Sequence, residues 1–180
     1  MRIYTGAGDG GETSTLSGAK VSKNDAAIHF EGAADELNSH LGLVKAVISD
    51  SDTRRFIEGV QKNLMKLMSR ASDPANERYF LGEDAVGGLE REIDRLSANL
   101  PPLSEMVTPG KNAVEAHIHI ARAVARRAER LLVAASVEHP LCPQAGAYLN
   151  RLSDYLFTLA RRYEYFNTED TEGTEDTEEY

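Results

Sequence analysis

The stretch AVEAHIHIARAVARRAERLLVAA, residues 113–135, has the clearest helical pattern in the chain. At about 100° per residue, its apolar side chains cover a broad arc, and a helix with so wide an apolar face is mostly buried. The opposite side carries a polar stripe with spacings of four, three, four and three residues: Glu115, His119, Arg122, Arg126 and Glu129. A long, mostly buried helix of this kind is typical of a helical bundle.

Helical spacing of apolar residues continues on both sides of this stretch, broken by Pro74 and by the pair Pro101 and Pro102. The pattern predicts five helices, over about 26–49, 54–71, 83–99, 111–138 and 144–166. The only strand candidate, RIY at residues 2–4, is too short to build a sheet. We therefore predict an all-α fold: an up-and-down bundle of five helices with short connections and an irregular glycine-rich N-terminal loop.

A chain of 180 residues is long enough for one well-buried core. We expect one helical bundle domain over residues 1–166 and a disordered acidic tail over 167–180, because the repeated TED and TEE triplets have no apolar residue to bury. The formal charge is −9, and the tail contains seven of the acidic residues and no basic residue. The body of the protein is thus nearly neutral, which argues against a nucleic-acid-binding surface.

Cys142 is the only cysteine, so an intramolecular disulfide is impossible. The sequence has no apolar run near the ~20 residues that a membrane span needs. Asp9 and Glu12 stand where a signal or transit peptide would be basic and then apolar. These features predict a cytoplasmic protein without a membrane segment.

The opening stretch GAGDGG, residues 6–11, matches the pattern G-x-G-x-x-G of dinucleotide-binding domains. That interpretation fails, because no strand, turn and helix unit surrounds it. Successive glycines can still converge backbone N–H groups on an anion, and Thr5, Thr13 and Ser14 add hydroxyl donors. Asp9 would repel a bare phosphate, so magnesium would be the natural mediator. A flexible glycine-rich terminus is the alternative.

The arginines of the polar stripe allow two interpretations. They form structural salt bridges, for instance Arg126 with Glu129, or they clamp a polyphosphate with their planar forks. The spacing alone does not decide between them. His117 and His119 lie on different helix faces, so a zinc pair is geometrically poor, and each is more simply a core or interface histidine.

Five segments in order resemble the PduO-type ATP:cob(I)alamin adenosyltransferases: YTGAGDGGET, VSKND, GAADELNSHLG, PGKNAVEAHIHIARAVARRAERLL and LNRLSDYLFTLAR. The resemblance spans about residues 1–166. It implies a homotrimeric helical bundle that holds ATP between subunits. The implied reaction transfers the 5′-deoxyadenosyl group of ATP to the cobalt of a reduced corrinoid, cob(I)alamin, releasing triphosphate and forming adenosylcobalamin.

The resemblance also assigns site residues. The family's T-x-x-G-D-x-G loop, which wraps the triphosphate, matches Thr5, Gly8, Asp9, Gly11 and Thr13, assisted by Lys23. The helix motifs match Arg122, Arg126, Glu129 and Asn150, and Asp35 fits an ion pair with Arg122 across the subunit interface. The implied catalytic residues are Arg122, Arg126 and Asp35. The implied magnesium ligands are Asp9 and Glu129, and the corrinoid is expected at Met106.

Several positions depart from the family pattern. Gly6 stands where the loop usually carries Lys or Arg, Ala27 replaces a frequent arginine, and Lys111 interrupts a common P-G-G. Met106 occupies a position that is often aromatic. These departures leave a non-catalytic trimeric ATP-binding or interaction protein as the alternative function, and a purely structural bundle as a third. A corrinoid reductase or a cobalamin-dependent enzyme is the expected protein partner.

Overall fold

The computed structural model describes residue 4, residues 6–138 and residues 143–167. Three of the sequence predictions concern residues outside these ranges: Thr5 as a phosphate donor, most of the RIY strand candidate, and the acidic tail from residue 168.

Five α-helices make up the described fold, in the order α1 (Ala26–Val47), α2 (Ser51–Ser72), α3 (Ala85–Ser97), α4 (Ala113–Glu138) and α5 (Pro143–Asn167). A single 3-10 turn, Glu77–Tyr79, lies between α2 and α3. Helix α1 packs between α2 and α4, and α5 packs between α4 and α3. The predicted all-α bundle of five helices is confirmed.

Aspartate caps define where α1 and α2 begin. The Asp25 carboxylate accepts the N–H of Ala27 at 2.8 Å. Asp50 accepts the N–H of Asp52 at 3.2 Å and the hydroxyl of Thr53 at 2.5 Å. A capping carboxylate satisfies backbone donors that have no partner within the helix. For this reason α2 begins at Ser51, three residues before the predicted start.

A short antiparallel hairpin precedes the bundle, so the prediction that RIY is the only strand candidate was wrong. Its strands are β1 (Glu12–Ser14) and β2 (Lys20–Ser22), with Thr13 opposite Val21. The turn closes through the N–H of Thr15, which donates to the carbonyl of Ala19 at 2.9 Å. Strands this short show no measurable alternation in sequence, which is why the pattern missed them.

The hairpin is attached to the end of α2. The N–H of Leu16 donates to the Ser72 hydroxyl at 2.9 Å, and the N–H of Ser17 donates to the Ser72 carbonyl at 3.3 Å. This attachment fixes the hairpin at the end of the bundle where α1 begins and α2 ends.

Two connections are longer than the sequence predicted: residues 73–84 between α2 and α3, and residues 98–112 between α3 and α4. We call the second the α3–α4 connection. It folds against α5 around a cavity of about 280 Å³, whose lining includes Arg161 and Tyr165. The α3–α4 connection and its cavity therefore lie at the end of the bundle opposite the hairpin.

Aromatic side chains of α5 bring α2 into the same core. The Phe56 and Tyr155 rings lie 5.0 Å apart between centroids. The Asn63 amide donates to the Tyr148 hydroxyl at 3.2 Å, and burial raises the pKa of Tyr148 to about 12. Among the residues described, no helix combines the length and the apolar character that a membrane crossing requires.

Adjacent positions of α2 provide a direct test of this core. Leu64 is fully buried, whereas Met65 is 56% exposed. Replacing Leu64 by alanine should lower the free energy of unfolding by about 2–5 kcal/mol, because it removes buried contacts and leaves a cavity. Urea denaturation at a fixed protein concentration would measure the loss. Met65→Ala is the matched control, and an equal loss in both variants would contradict this placement of α2.

Candidate functional site

The glycine loop, residues 6–11, is folded as two successive turns. The N–H of Asp9 donates to the carbonyl of Gly6 at 3.2 Å, and the N–H of Gly11 donates to the carbonyl of Gly8 at 3.3 Å. Gly6 and Gly11 have φ angles of 71° and 86°. Residues other than glycine rarely adopt this left-handed backbone conformation, so the turns require glycine at these two positions.

Lys23 closes over this loop from the second strand's side. Its N–H donates to the carbonyl of Gly11 at 2.8 Å. Its ammonium lies 3.1 Å from the point where a Cβ on Gly8 would sit. A cavity of about 340 Å³ adjoins the loop and is lined in part by Gly8, Glu12 and Lys20. The structure thus places two lysines next to the glycine loop, Lys20 on the wall of the cavity and Lys23 against Gly8. Positive charge beside a glycine-rich turn suits an anion.

Asp9 projects from the same loop with an exposed carboxylate. Across the described ranges, no group of three or more His, Cys, Asp or Glu side chains could hold a metal ion by itself. The other predicted magnesium ligand, Glu129, lies in α4, and its Oε1 accepts the amide of Asn150 at 3.3 Å. The chain therefore offers single carboxylates rather than a preformed metal cage.

The contact between Glu129 and Asn150 is part of a network that joins α4, α5 and α3. The side-chain oxygen Oδ1 of Asn150 accepts a terminal N–H of Arg151 at 2.9 Å. Arg151 also donates from Nε to Glu90 at 2.9 Å. The network holds the Asn150 amide and the Glu129 carboxylate side by side on the helix surface.

Arg126 is exposed and stands one turn before Glu129. It forms no salt bridge or hydrogen bond with any described residue. The structure therefore does not contain the salt bridge between Arg126 and Glu129 that the sequence left open as one interpretation. A guanidinium without a partner beside a fixed carboxylate is free to bind an added anion.

The first part of the polar stripe is buried rather than solvent-facing. Glu115 is fully buried and His119 is 5% exposed. The Nε of Arg122 donates to Nδ1 of His119 at 3.1 Å. His119 Nε2 and Glu115 Oε1 lie 3.0 Å apart, close but without the alignment of a hydrogen bond. The predicted core histidine at 119 thus serves as an acceptor for Arg122.

Burial lowers the pKa of His119, and the positive charge of Arg122 lowers it further. The carboxylates of Glu115 and Glu164 act in the opposite direction, and the effect of burial is the largest. A neutral imidazole is required at Nδ1, because the Nε of arginine only donates. His117, by contrast, is half-buried with an Nδ1 that lacks a partner among the described residues.

Asp35 is exposed on α1 and forms no ion pair with a described residue. The neighbouring Glu36 pairs instead with Arg127 of α4. The predicted contact between Asp35 and Arg122 is therefore absent within the described part of one chain, as a contact between subunits would require.

Met106 is 94% exposed on the α3–α4 connection. Lys111 at the end of this connection pairs with Glu164 of α5, and Asn112 donates to the carbonyl of Tyr163 at 3.0 Å. The base of the connection is thus fixed to α5 while Met106 points into solvent.

The predicted residues form three separate groups within one chain. Gly8, Asp9, Gly11, Thr13 and Lys23 lie together in the N-terminal segment. None of residues 8–25 hydrogen bonds to a described residue of α4 or α5. Arg126, Glu129 and Asn150 form the second group. Met106 stands apart from both.

The sequence pattern placed Glu115 in the polar stripe but did not predict that hydrogen bonds at the start of α4 hold its side chain. The signal was Asn112 followed three residues later by Glu115, a variant of the capping box that opens many helices. Asn112 accepts the N–H of Glu115 at 2.9 Å, and Glu115 accepts the N–H of Gly110 at 2.9 Å. A polar stripe is usually a solvated face, and here the helix start buries one end of it.

The family model for cobalamin adenosyltransferases matches residues 3–163. The chain belongs to this family. The curated corrinoid adenosyltransferase of Citrobacter freundii is 40% identical to it over 164 residues, which cover 89% of this chain and 93% of that one. The corrinoid adenosyltransferase PduO of the same organism is 36% identical over 165 residues and is about twice as long, since the match covers 49% of it.

Solved structures support the same assignment. A variant PduO-type ATP:corrinoid adenosyltransferase from Lactobacillus reuteri, complexed with cobalamin and ATP, superimposes with a TM-score of 0.85 and 31% identity. The superposition covers 93% of this chain and 96% of that one. The predicted PduO-type family is confirmed, and the prediction of an adenosyltransferase is supported over that of a non-catalytic protein on the same scaffold.

The lowered pKa of His119 predicts how the stability of this adenosyltransferase depends on pH. The unfolded chain protonates His119 near its ordinary value of about 6.5, whereas the native chain resists protonation. The unfolded state therefore binds more protons below that pH, and stability falls as the pH decreases. Above that pH His119 is neutral in both states, and its protonation no longer lowers stability.

Urea denaturation of the wild type and of His119→Asn, at one protein concentration and at pH 8, 7, 6 and 5, would measure this effect. Below pH 6.5 the wild type should lose more unfolding free energy than the variant does, because asparagine does not titrate. A difference that grows in favour of the wild type at low pH would mean that His119 gains a proton on folding.

Proposed function

We propose that this chain transfers the 5′-deoxyadenosyl group of ATP to the cobalt of cob(I)alamin, releasing triphosphate and forming adenosylcobalamin. The observation that carries the proposal is the glycine loop with the Lys23 ammonium against Gly8, in a chain of the cobalamin adenosyltransferase family. Backbone N–H groups and one lysine suit the triphosphate of ATP better than they suit an uncharged ligand.

We assign the triphosphate to Thr5, Gly8, Gly11, Thr13 and Lys23, with Arg126 as a second cationic contact. Arg126 supports this assignment because it has no partner among the described residues. A planar guanidinium can bind two phosphate oxygens at once, which fixes the direction of the leaving group. Glu129 and Asn150, held together at 3.3 Å, would contact the remainder of the nucleotide.

Magnesium fits the donors that the chain offers. Mg²⁺ bound to a nucleotide commonly takes one or two carboxylates, and completes its shell with phosphate oxygens and water. Asp9, exposed beside the glycine loop, is such a carboxylate. Glu129 is the second candidate. The ion would neutralise charge on the triphosphate as it leaves.

The chemistry needs no nucleophile from the protein. The electron pair of the reduced cobalt forms the bond to the 5′ carbon, and the pair of the breaking carbon–oxygen bond leaves with triphosphate. The protein holds cobalt, carbon and leaving oxygen in line, and stabilises the leaving charge through Arg126 and Lys23. We place the corrinoid at the α3–α4 connection, where Met106 supplies an exposed apolar side chain.

A homotrimer would bring the separate groups together. Among the described residues of one chain, no hydrogen bond or salt bridge joins the glycine loop to the α4 arginines, and Asp35 has no partner. Helix α4 also exposes Ile120, Val133 and Val137. Apolar residues exposed along one helix suit a subunit interface. We assign the ATP sites to this interface, with Arg122 facing Asp35 of a neighbouring copy.

The reaction also calls for a corrinoid reductase or a cobalamin-dependent enzyme as partner, in a cytoplasmic setting.

An anaerobic assay with magnesium-ATP and chemically reduced cobalamin tests the proposal. The wild type should form adenosylcobalamin, followed by its absorption spectrum. Arg126→Ala should lower kcat/KM by about a hundredfold, because one charged contact to phosphate is lost. Arg130→Ala is the matched control, since Arg130 is an exposed arginine on the same helix outside the predicted site.

The controls separate the possible failures. Size-exclusion chromatography checks that each variant keeps the oligomeric state of the wild type. Magnesium-ATP binding without any adenosylated product would sink the enzyme assignment in favour of a non-catalytic ATP-binding protein. Equal activity in Arg126→Ala and the wild type would remove Arg126 from the site.

Gly8 and Gly10 give a second matched pair. A Cβ on Gly8 would meet Lys23 at 3.1–3.2 Å, whereas a Cβ on Gly10 would meet nothing within 4 Å. Gly8→Ala should displace the Lys23 ammonium and weaken magnesium-ATP binding by about tenfold, the loss typical of one charged contact. Isothermal titration calorimetry would measure it. Gly10→Ala should bind as the wild type does, and an equal loss in both variants would point to the flexibility of the loop instead.

A further inference from the structure

The buried pair Glu115 and His119 lies behind Arg122 and is not used by the chemistry proposed above. Glu115 is fully buried. Its Oε2 accepts the N–H groups of Gly110 at 2.9 Å and Lys111 at 3.2 Å. The carboxylate therefore caps the start of α4 through backbone donors that precede the helix. Its position is set by the backbone just before the helix.

His119 is one helical turn further along, and its two ring nitrogens face opposite ways. Nε2 lies 3.0 Å from Oε1 of Glu115. Nδ1 accepts the Nε–H of Arg122 at 3.1 Å. Because the arginine Nε can only donate, Nδ1 must be unprotonated, and the ring proton sits on Nε2 facing the carboxylate. The Phe157 ring stands beside the imidazole, 6.2 Å away between centroids.

This contact fixes the plane of the Arg122 guanidinium. The inner N–H is used by His119, and the two terminal amines form no hydrogen bond with a described residue. A fork fixed at its base presents two parallel donors in one direction. An arginine held in this way loses less conformational entropy when it binds a carboxylate or phosphate than a free one does.

We propose that Glu115 and His119 are positioning residues for Arg122, and that they couple its orientation to the α3–α4 connection through the N–H groups of Gly110 and Lys111. The inference rests on the proposed function, in which Arg122 belongs to the active site. The pair thus links the segment that carries Met106 to the arginine stripe of α4.

A purely structural role is the competing explanation, since Glu115 also caps the helix. The two explanations differ at His119. A cap needs only Glu115, and a well-packed apolar residue at 119 would be as stable as the imidazole. Positioning, in contrast, needs an acceptor for the Nε–H of Arg122.

Two substitutions at this position separate the explanations. His119→Leu removes the acceptor, and His119→Asn restores one, because its amide oxygen takes the place of Nδ1. We expect His119→Leu to lower kcat by about tenfold, with unchanged helical content and ATP stoichiometry, and His119→Asn to recover most of the loss. His117→Leu, the same change at a half-buried histidine two residues away, should keep the wild-type kcat.

Glu115→Gln tests the other half of the pair. Glutamine keeps the size of Glu115 but removes the negative charge that lies 3.0 Å from Nε2 of His119. Its effect on kcat should therefore be present with His119 and absent in the His119→Leu background, a non-additivity that a double-mutant cycle reports. Additive effects, or equal losses in His119→Leu and His119→Asn, would overturn the inference.

Nitrogen-15 NMR of labelled histidine reports the pair without turnover. A neutral imidazole protonated at Nε2 supports the inference, whereas a proton on Nδ1 overturns it, because the acceptor would then be missing. If the wild type forms no adenosylcobalamin while its His119 shows the Nε2–H form, the proposed function fails and the positioning of Arg122 stands. If the wild type is active and its His119 carries the proton on Nδ1, the reverse holds.

Discussion

The rest of this structure depends on a single constraint on α4. The helix buries its apolar face between α1 and α5, yet it also carries the arginines of the predicted site. A buried charge without a partner costs several kcal/mol, so the polar stripe has to leave the core as the helix advances. The structure achieves this along the helix axis: Glu115 and His119 are buried, Arg122 is half-buried, and Arg126 is exposed.

The same gradient explains why each polar residue has the partner that it has. At the buried end Glu115 uses the helix N-terminus and two backbone N–H groups. In the middle Arg122 uses a neutral histidine, which accepts without adding a second positive charge. At the exposed end Arg126 has no partner within the described residues. Because its solvation there is intact, the unpaired guanidinium costs little and is available to a ligand.

Much of the fold followed from periodicity alone. The 3.6-residue spacing identified all five helices, and prolines marked the ends of α2 and α3, because both signals are local. The hairpin escaped because strands of three residues carry no periodic signal. The start of α2 was placed three residues late because Ser51, Asp52 and Thr53, which follow the Asp50 cap, are polar and add nothing to the apolar pattern. The length of the α3–α4 connection was likewise set by packing against α5, through Lys111 and Asn112, which no local pattern reveals.

The site was less predictable from the residues alone, because its parts lie far apart along the chain. The proximity of Lys23 to Gly8 depends on the hairpin returning the chain to the glycine loop, and no sequence pattern predicted that hairpin. The polar stripe was visible, but periodicity does not distinguish a solvated stripe from one that begins in the core. The contacts of Glu115 with the residues before α4 make that distinction, and the spacing of Asn112 and Glu115 is its one trace in the sequence.

Gly6 illustrates how the loop can tolerate its departure from the family pattern. Its φ of 71° is accessible to glycine at little cost, whereas a residue with a Cβ would be strained there. A lysine or arginine at this position would therefore be strained in the turn that this loop adopts. The positive charge that remains against it belongs to Lys23, whose backbone N–H is itself bonded to Gly11. The residue directly after β2 thus supplies both the cation at the loop and the hydrogen bond that holds the loop in place.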